Sequence, residues 1–310
     1  MIVRLSAGLA AMAAVFVLAG CGSDSDAETS GSSAAASAAA ECPNNGTVRF
    51  AVEPYETSAK LLPVYDQIVE QLGQELGCEV ELLITQNYTA EIEAMRAKKL
   101  EVAQFGPLGY VLAAKVADAE AVASYGEKGG EPDTYFASIV APKDKGISSL
   151  DEVKGKDFAY SDPASTSGHL FPAFLLKDAG IDPDKGIKPV YAGSHTSAFE
   201  ALRNGKVDAG ELNSETIESA QAEGTYKASE FVTLAKSKPI PVDPIAVRGD
   251  LSPEFKKRFT EALLAVDLSK IKDPKEVLTG AAFVAQDDSA YRQIRELAET
   301  LGIGIEDVNG

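Results

Sequence analysis

The sequence predicts an α/β protein built as a two-lobed clamshell, in which each lobe is a mainly parallel sheet flanked by helices. Strand-like and helical patterns alternate from Thr47 onward, which is typical of parallel sheets with helices on their faces. A β-rich segment bounded by prolines at 131–142 and a second proline-rich segment at 238–250 interrupt the alternation. We therefore expect these two segments to cross between the lobes as strands and to form a hinge.

The first lobe is predicted to consist of residues 46–134 and 241–310. Strands are expected at 47–52 and 79–84, and apolar residues at helical spacing predict a helix between them at 58–76. A third strand in "EVAQFG", a helix after it and a strand in "AVASYGE" continue the series.

The second lobe is predicted to consist of residues 135–240, where strand patterns again alternate with helical ones. The prolines of the second crossover exclude a regular internal strand throughout it, because proline donates no hydrogen bond to a ladder. Residues 252–303 are expected to be mostly helical, to pack on the first lobe and to carry no site motif. In such folds, ligands bind where strands end and helices begin.

The chain has 310 residues, 45% of them hydrophobic, and a formal net charge of −18. This length is enough for about two domains with cores of their own. The excess of acidic residues excludes nucleic acids and anionic membrane surfaces as partners, because they would be repelled. A small anionic ligand would have to be held by the local geometry of its site.

Residues 1–20 are predicted to be a signal peptide, because Arg4 precedes an apolar stretch that is too short to span a membrane. The sequence Leu-Ala-Gly-Cys that ends at Cys21 resembles a bacterial lipobox, which implies a lipid-modified cysteine at the start of the mature chain. An ordinary secretory signal with an incidental cysteine is the alternative. Residues 21–45 are then expected to be the lipidated cysteine and a flexible tether, rich in Ser, Ala and Gly.

Cys42 and Cys78 each precede a predicted strand. If these strands are parallel neighbours, both cysteines lie at the same edge of the sheet, and an exported chain meets oxidising conditions. A disulfide between them is therefore reasonable, and two unpaired buried thiols are the alternative.

The loop "STSG" at 165–168 lies between a predicted strand and a predicted helix. The first N–H groups of a helix lack partners within it, and the helix dipole places about half a positive charge there. Ser165, Thr166 and Ser167 add hydroxyl donors, and Gly168 would let a ligand approach the backbone. An oxyanion suits such a site, although an ordinary Ser/Thr helix cap would give the same pattern.

The next loop repeats this design, with Ser194 as a candidate cap and His195 in the first helical turn. Two helix starts that follow successive strands converge on one point, where neutral donors could surround a tetrahedral group. We therefore favour His195 as a donor to a ligand oxygen over a surface histidine. His169 is expected to be a packed or partly exposed residue without a binding role. Thr89 is expected to cap an earlier helix.

Glu215 follows a predicted strand of the second lobe, and Asp243 lies in the second crossover. A buried carboxylate near an anion is unfavourable unless a proton or a cation accompanies it. Both residues are therefore candidates to bind a ligand amine or a protonated ligand oxygen. Capping of a helix by Glu215 and a turn formed by Asp243 are the alternatives.

The segments "DPASTSGHLFP", "AGSHTSAFEALRNGKVDAG", "LNSET" and "PIPVDPI" follow "NYTAEIEAMRAKKLEVAQFGPLGY" in this order. Together they resemble the phosphonate, phosphite and phosphate solute-binding proteins of ABC importers, the PhnD-type phosphonate-binding family. The resemblance covers most of the chain and implies the two-lobed, type II fold of periplasmic binding proteins. It also implies that the phosphonate oxygens are bound by Tyr88, Ser165, Thr166, Ser167 and His195.

The same resemblance implies roles around the substituent of the ligand. Acidic residues of the family hold the ammonium of aminoalkyl phosphonates, and Glu215 and Asp243 occupy the matching positions. Phe105 stands where aminophosphonate binders have a tyrosine, so one polar contact is lost here. Tyr88 and Phe105 of the first lobe are expected to close over an anion that the second lobe has captured.

The predicted function is that of a lipoprotein on the outer face of the cytoplasmic membrane that delivers a phosphonate to an ABC permease. The same fold could instead bind phosphite, phosphate, a sulfonate or a carboxylate, or could act as the ligand-sensing lobe of a membrane receptor. A serine with His195 and Asp243 could form a nucleophile relay, but the sequence has no Gly-x-Ser-x-Gly elbow and no metal-ligand spacing. We expect no enzymatic activity, no metal and no cofactor.

Overall fold

The computed structural model describes residues 42–272, 274, 277, 278 and 280–308. The signal peptide, Cys21 and most of the predicted tether lie outside the described residues. As far as the first crossover, the elements are β1 (Thr47–Val52), α1 (Ser58–Leu76), β2 (Glu79–Ile84), α2 (Tyr88–Arg96), β3 (Val102–Gln104), α3 (Pro107–Ala117) and β4 (Glu120–Gly126).

The chain then passes through a second series of strands and helices and returns to the first. The second series is β5 (Thr134–Tyr135), β6 (Ala137–Pro142), β7 (Asp157–Tyr160), a π-helix (Thr166–Leu170), α4 (Phe171–Asp178), β8 (Lys188–Tyr191), α5 (His195–Arg203), β9 (Ala209–Asn213), α6 (Ser214–Ala222) and β10 (Phe231–Lys236). The return comprises β11 (Ile240–Pro241), β12 (Pro244–Val247), α7 (Pro253–Ala265), β13 (Ala282–Ala285) and α8 (Arg292–Leu301). Short 3₁₀ helices lie at 44–46, 143–145, 150–153, 228–230, 268–270 and 288–291.

The strands form two large sheets, which confirms the two-lobed α/β prediction. The first sheet has the order β13-β4-β12-β3-β1-β2, and the second has the order β10-β6-β9-β7-β8. In the first sheet β1 is parallel to β2 and β3, and in the second β7 is parallel to β8 and β9. The remaining pairings are antiparallel, so the sheets are mixed rather than mainly parallel.

Strand direction follows from the hinge. β12 and β6 each begin directly after a crossover, at the end of the sheet where the parallel strands finish. Ile245 of β12 therefore pairs with Gln104, the last residue of β3, and Ala137 of β6 pairs with Asn213, the last residue of β9. A strand that starts where its neighbour ends must run antiparallel to it. The sequence pattern does not predict the direction of these strands, because it indicates where a strand occurs in the chain but not at which end of the sheet it begins.

The two crossovers pair with each other, as expected for a hinge. β5 and β11 form a two-stranded antiparallel sheet in which Tyr135 faces Ile240. The proline-rich second crossover does not form one continuous strand. It is divided into β11 and β12, and Pro244 occupies the first position of β12, where the missing N–H does least harm to the ladder.

The segment after the second crossover packs on the first sheet, but it is less helical than predicted. α7 contacts α1, and β13 adds an edge strand beside β4. The first sheet and its helices share one hydrophobic core. Two smaller cores flank the second sheet, one around Phe158 and Leu176 and one around Phe199 and Leu202.

A disulfide joins Cys42 to Cys78, as the sequence suggested. The two cysteines lie at the same end of the parallel pair β1 and β2, where Thr47 is opposite Glu79. Residues 42–45 therefore belong to the folded body, and the tether ends earlier than the predicted boundary at residue 45. Within the part of the chain that the structure describes, no helix is long and apolar enough to cross a membrane.

Candidate functional site

A cavity with a volume of about 60 Å³ lies between the two sheets, beside the hinge. The first lobe and the returning chain contribute Glu53, Tyr55, Glu56, Tyr88, Gln104, Gly106, Tyr125, Val242, Asp243, Val277 and Leu278. The hinge and the second lobe contribute Tyr135, Ser165, Thr166, Ser167, His195, Asn213, Glu215, Thr216, Glu218 and Ser219. The structure thus brings together seven of the eight residues that were predicted to contact the ligand.

The hydroxyl run follows β7 and starts a helix, as predicted. Ser165 is the cap, and its Oγ accepts the N–H of Gly168 at 3.1 Å. The first turn is a π-turn, in which the N–H of Leu170 donates to the carbonyl of Ser165 at 3.0 Å. A Cβ on Gly168 would lie 1.7 Å from Ser161 Oγ. Gly168 is therefore required for packing against the end of β7. It does not line the cavity, although we expected it to let a ligand approach the backbone.

Each hydroxyl of this run accepts a hydrogen bond from the protein. Thr166 Oγ1 accepts the N–H of Leu108, in the first turn of α3, at 2.8 Å. Ser167 Oγ accepts from Asn213 Nδ2 at 3.2 Å. Because each hydroxyl oxygen already accepts a hydrogen bond, its single proton is left to be donated to another acceptor, such as a ligand oxygen. The three side chains are almost fully buried, which keeps water from competing for them.

His195 opens α5, and Ser194 is its cap: Ser194 Oγ accepts the N–H of Ser197 at 3.2 Å. His195 is buried, and its Nδ1 lies 2.8 Å from Glu211 Oε1. Burial lowers the pKa of His195, but Glu211, with smaller contributions from Glu215 and Asp243, raises the pKa above its ordinary value. The alternative of a surface histidine is excluded. The partner of His195 is Glu211 rather than the Asp243 of the nucleophile relay considered above.

Tyr88 is the first residue of α2 and contributes a buried hydroxyl to the cavity. The cap of this helix is Asn87, whose Oδ1 accepts the N–H of Ala90 at 2.7 Å, so the prediction that Thr89 is the cap is wrong. Thr89 instead donates to the carbonyl of Val308 at 2.8 Å. His169 is packed as expected, with Nδ1 2.7 Å from the carbonyl of Pro163.

Three buried polar atoms that line the cavity have no hydrogen-bond partner among the described residues: Glu53 Oε2, Tyr88 Oη and Ser219 Oγ. Buried polar atoms are nearly always paired in folded proteins, and their exceptions mark places where a ligand or water binds. These three residues therefore offer the cavity buried polar atoms that a polar guest could pair with.

Phe105 is the one predicted contact residue that does not line the cavity. It is fully buried within the core of the first lobe. Its neighbours Gln104 and Gly106 line the cavity instead. Side chains at the end of a strand alternate between opposite faces, which separates Phe105 from both of them.

The two predicted carboxylates both line the cavity. Glu215 lies in the first turn of α6, but Asn213 is the cap there, because its Oδ1 accepts the N–H of Thr216 at 2.7 Å. Burial, with a contribution from the charge of Asp243, raises the pKa of Glu215 to about 8. Burial raises the pKa of Asp243 to about 7, although His195 and Gln104 oppose the shift.

Gln104, at the end of β3, connects Asp243 to a buried tyrosine network that sequence reasoning missed. Its Oε1 accepts from Tyr65 and, at 2.8 Å, from Tyr125. With its oxygen occupied, the amide can only offer its N–H groups to Asp243, and this contact lowers the pKa of Asp243. Gln104, Glu53 and Asn213 all stand at the carboxyl ends of strands, which is the signal that could have identified them.

Contacts across the cleft show that the lobes are closed on each other. The N–H of His195 donates to the carbonyl of Tyr55 at 3.3 Å. Lys60 of α1 forms a salt bridge with Glu223, at the end of α6, at 2.5 Å. Among the described residues, no group of three or more His, Cys, Asp or Glu side chains is placed to hold a metal ion.

A model of the family described as ABC transporter, phosphonate, periplasmic substrate-binding protein matches residues 50–291. The Phosphate-import protein PhnD of Mycolicibacterium smegmatis is 30% identical over 220 residues, which is 67% of this chain and 68% of that protein. A binding protein component of an ABC phosphonate transporter from Pseudomonas aeruginosa superposes with a TM-score of 0.72 and 28% identity, over 81% of this chain and 85% of that one.

The fold is also that of PhnD1 from Prochlorococcus marinus, solved in complex with methylphosphonate. The TM-score is 0.73 at 23% identity, over 83% of this chain and 99% of that one. The family match covers both sheets and every residue that lines the cavity. This chain belongs to the family of periplasmic substrate-binding proteins of ABC phosphonate transporters.

Proposed function

We propose that this protein captures a compact phosphonate in the cavity between its lobes and delivers it to the permease subunits of an ABC importer. The observation that carries the proposal is the set of hydrogen-bond donors around the cavity: Tyr88, Ser165, Thr166, Ser167 and His195. Hydrogen bonds to a charged group contribute about 1.5 to 3 kcal/mol each. Five or six of them, less the cost of closing the lobes, are consistent with micromolar or tighter affinity.

The size of the cavity supports a small ligand. A volume of about 60 Å³ has room for about four to six water-sized groups, because one such group needs about 10 to 15 Å³. Methylphosphonate, phosphite and phosphate have four or five non-hydrogen atoms. Glu215 and Asp243 extend the proposed class to short aminoalkyl phosphonates, because an ammonium would compensate for the burial of their charges.

Isothermal titration calorimetry with methylphosphonate, aminomethylphosphonate, phosphite and phosphate tests the proposal. We expect heat from at least one of them, and a double variant, Ser165→Ala with His195→Ala, should weaken all of them. Sulfate and acetate serve as control anions of other classes. The absence of heat from every phosphorus oxyanion would overturn the proposal.

Capture is proposed to proceed by hinge closure. We assign residues 46–134 and 241–310 to one lobe and residues 135–240 to the other, with the β5–β11 pair as the hinge. The bonds between His195 and Tyr55 and between Leu108 and Thr166 support this, because they join the lobes next to the cavity. A ligand held by both lobes stabilises the closed state by its differential contacts.

Export and anchoring complete the proposed role. We propose that residues 1–20 are removed and that Cys21 carries lipid, which would tether the binding body to the outer face of the cytoplasmic membrane. Metabolic labelling with radioactive palmitate tests this assignment. Wild type should incorporate label, Cys21→Ser should not, and label in the Ser variant would contradict the anchor.

The function is proposed to be binding without turnover. Ser165, His195 and Glu211 lie in a row that resembles a nucleophile relay, with His195 Nε2 3.3 Å from Ser165 Oγ. Ser165 Oγ, however, is also the helix cap, where it accepts the N–H of Gly168 at 3.1 Å, so the same oxygen already has a structural role. Release of nitrophenol from a nitrophenyl methylphosphonate ester would contradict this part of the proposal.

A further inference from the structure

Glu53 presents an unusual carboxyl to the cavity. It directly follows β1, and only 2% of the residue is exposed. The N–H of Gly106, at the start of α3, bonds to this carboxyl, and a Cβ at Gly106 would lie 2.9 Å from Glu53 Oε1. Glu53 lines the same cavity as the ligand donors, and its Oε2 is buried and has no hydrogen-bond partner among the described residues.

The surroundings of Glu53 are acidic or neutral. The ionisable groups that shift the pKa of Glu53, or whose own pKa Glu53 shifts, are Asp243 before β12, Glu91 and Tyr88 on α2, Asp162 after β7 and Tyr135 on β5. No lysine or arginine is among the described residues that line the cavity. Burial, and then the charges of Asp243 and Glu91, raise the pKa of Glu53 well above its ordinary value.

An ionised Glu53 would repel a phosphorus oxyanion in this setting, because both charges are removed from water. The imidazole of His195, which can carry a positive charge in this cavity, is already paired with Glu211 and so does not compensate the charge of Glu53. A neutral carboxylic acid has the opposite effect. Its O–H is a strong donor to an oxyanion, and apolar surroundings can keep such an acid neutral at ordinary pH. The oxygen that is free to carry this proton is the unpartnered Oε2.

We propose that Glu53 binds the ligand as a neutral carboxylic acid, with the O–H on Oε2 donating to an oxygen of the phosphorus oxyanion. This rests on the proposed function and adds a ligand-binding residue from the first lobe. When Glu53 is ionised in the empty protein, the proton comes from solvent and stays in the complex. Binding should therefore become weaker as the pH rises, because the proton must be supplied at greater cost.

Two substitutions at Glu53 separate hydrogen-bond donation from shape. Glu53→Leu removes the donor and should weaken binding of methylphosphonate by about tenfold or more. Glu53→Gln keeps an N–H donor that does not titrate. Its loss of affinity for methylphosphonate at neutral pH should therefore be clearly smaller than that of the Leu variant. Calorimetry gives both affinities, and thermal unfolding verifies that the variants are folded.

The decisive measurement is the ratio of the Gln variant's affinity for methylphosphonate to that of wild type, between about pH 5.5 and about pH 9. The ionisation of the ligand cancels in this ratio, so a rise with pH reports the proton on Glu53. Glu200→Gln is the control for the loss of a carboxylate, because Glu200 pairs with Arg203 on α5 and does not line the cavity. The ratio of this variant's affinity for methylphosphonate to that of wild type should not change with pH.

Different failures have different meanings. A flat ratio for Glu53→Gln in a protein that binds methylphosphonate would overturn the role of Glu53 alone. Equal losses in the Leu and Gln variants would do the same, because the N–H donor would then have no value. If wild type binds no phosphorus oxyanion at all, the proposed function fails, and the role of Glu53 fails with it.

Discussion

His195 connects Glu211 to Ser165, with Nδ1 2.8 Å from Glu211 Oε1 and Nε2 3.3 Å from Ser165 Oγ. The carboxylate requires a proton on Nδ1, and its charge favours a second proton on Nε2. Of the cavity-lining residues that the structure describes, His195 is the one whose side chain can carry a positive charge near neutral pH. An acidic residue behind the cavity thus makes the cavity more favourable for an anion.

Glu211→Gln should lower the pKa of His195, because the raising effect of the carboxylate is removed while burial remains. An NMR titration of the imidazole resonances measures this shift directly. Binding of methylphosphonate near pH 7 should weaken by about tenfold, because a charge-assisted bond becomes a neutral one. Glu200→Gln, on the same helix as His195, is the control, since the side chain of Glu200 is 39% exposed and pairs with Arg203. An unchanged imidazole pKa in Glu211→Gln would contradict the assignment.

Local patterns predicted the loops that begin at Ser165 and Ser194 well. A helix start depends on a few adjacent residues, and a cap with its hydroxyl neighbours can be recognised without knowing the rest of the fold. The position of Glu211 behind His195 is also visible in principle. A charged residue inside the buried strand β9 needs a partner, and that requirement is a usable signal.

Other features depend on packing between distant segments. Phe105 was assigned to the ligand because it stands where aminophosphonate binders of the family have a tyrosine. Which of two adjacent side chains faces the cavity, however, is set by the strand's orientation in the sheet. Val277 and Leu278 line the cavity from a segment that has no site motif. Their role follows only from the return of the chain to the first sheet after the hinge.

Glu215→Ala should distinguish ligands with an amine from those without one. For aminomethylphosphonate, an ammonium would keep Glu215 ionised, so truncation should cost about tenfold or more in affinity. For methylphosphonate the loss should be much smaller, because this ligand has no ammonium with which Glu215 could form a charged pair. Calorimetry with the two ligands makes the comparison within one variant. Equal losses for both ligands would show that Glu215 does not contact an amine.

Proton release provides an independent measurement of the same contact. The pKa of Glu215 is raised to about 8, so the group is mostly neutral at about pH 7 in the empty site. An ammonium lowers that pKa and expels the proton. Binding of aminomethylphosphonate to wild type should therefore release protons, which is measured by titration in buffers with different ionisation enthalpies. Glu215→Ala should release fewer, and an equal release would assign the proton to another group.

The salt bridge between Lys60 and Glu223 should favour the closed state. Lys60 also lies 3.5 Å from Glu56, so one lysine on α1 neutralises a carboxylate from each side of the cleft. The lysine side chain is 22% exposed, which limits its contribution to about 1 kcal/mol. Lys60→Met should weaken ligand binding by about two- to fivefold and reduce the closed population seen by small-angle X-ray scattering.

Lys154→Met is the control for this prediction, because Lys154 pairs with Asp151 at 2.9 Å within the second lobe. It removes the same charge from the chain without altering a contact across the cleft. Scattering profiles and affinities for Lys154→Met should match those of wild type. A similar decrease in both variants would attribute the effect to net charge rather than to closure.

Glu101 should make the stability of the first lobe sensitive to acid. Its side chain is fully buried and receives hydrogen bonds from Arg49 at 2.6 Å and from Arg248 at 3.0 Å. Burial alone would raise the pKa of Glu101, but the two arginines lower it below its ordinary value. A carboxyl whose pKa is lower in the folded state stabilises the fold above its unfolded pKa of about 4.3. That contribution is lost as the pH falls through the folded value.

Glu101→Gln should therefore lower the free energy of unfolding by about 2 to 4 kcal/mol near pH 7, because two arginines lose their charged partner. The difference from wild type should shrink between about pH 5 and about pH 3, where wild type loses the same interaction. Urea denaturation at several pH values measures both effects. Glu254→Gln, at an exposed position in the first turn of α7, is the control and should change little. A Glu101→Gln deficit that stays constant down to about pH 3 would mean that shape, rather than the charge of Glu101, provides the stability.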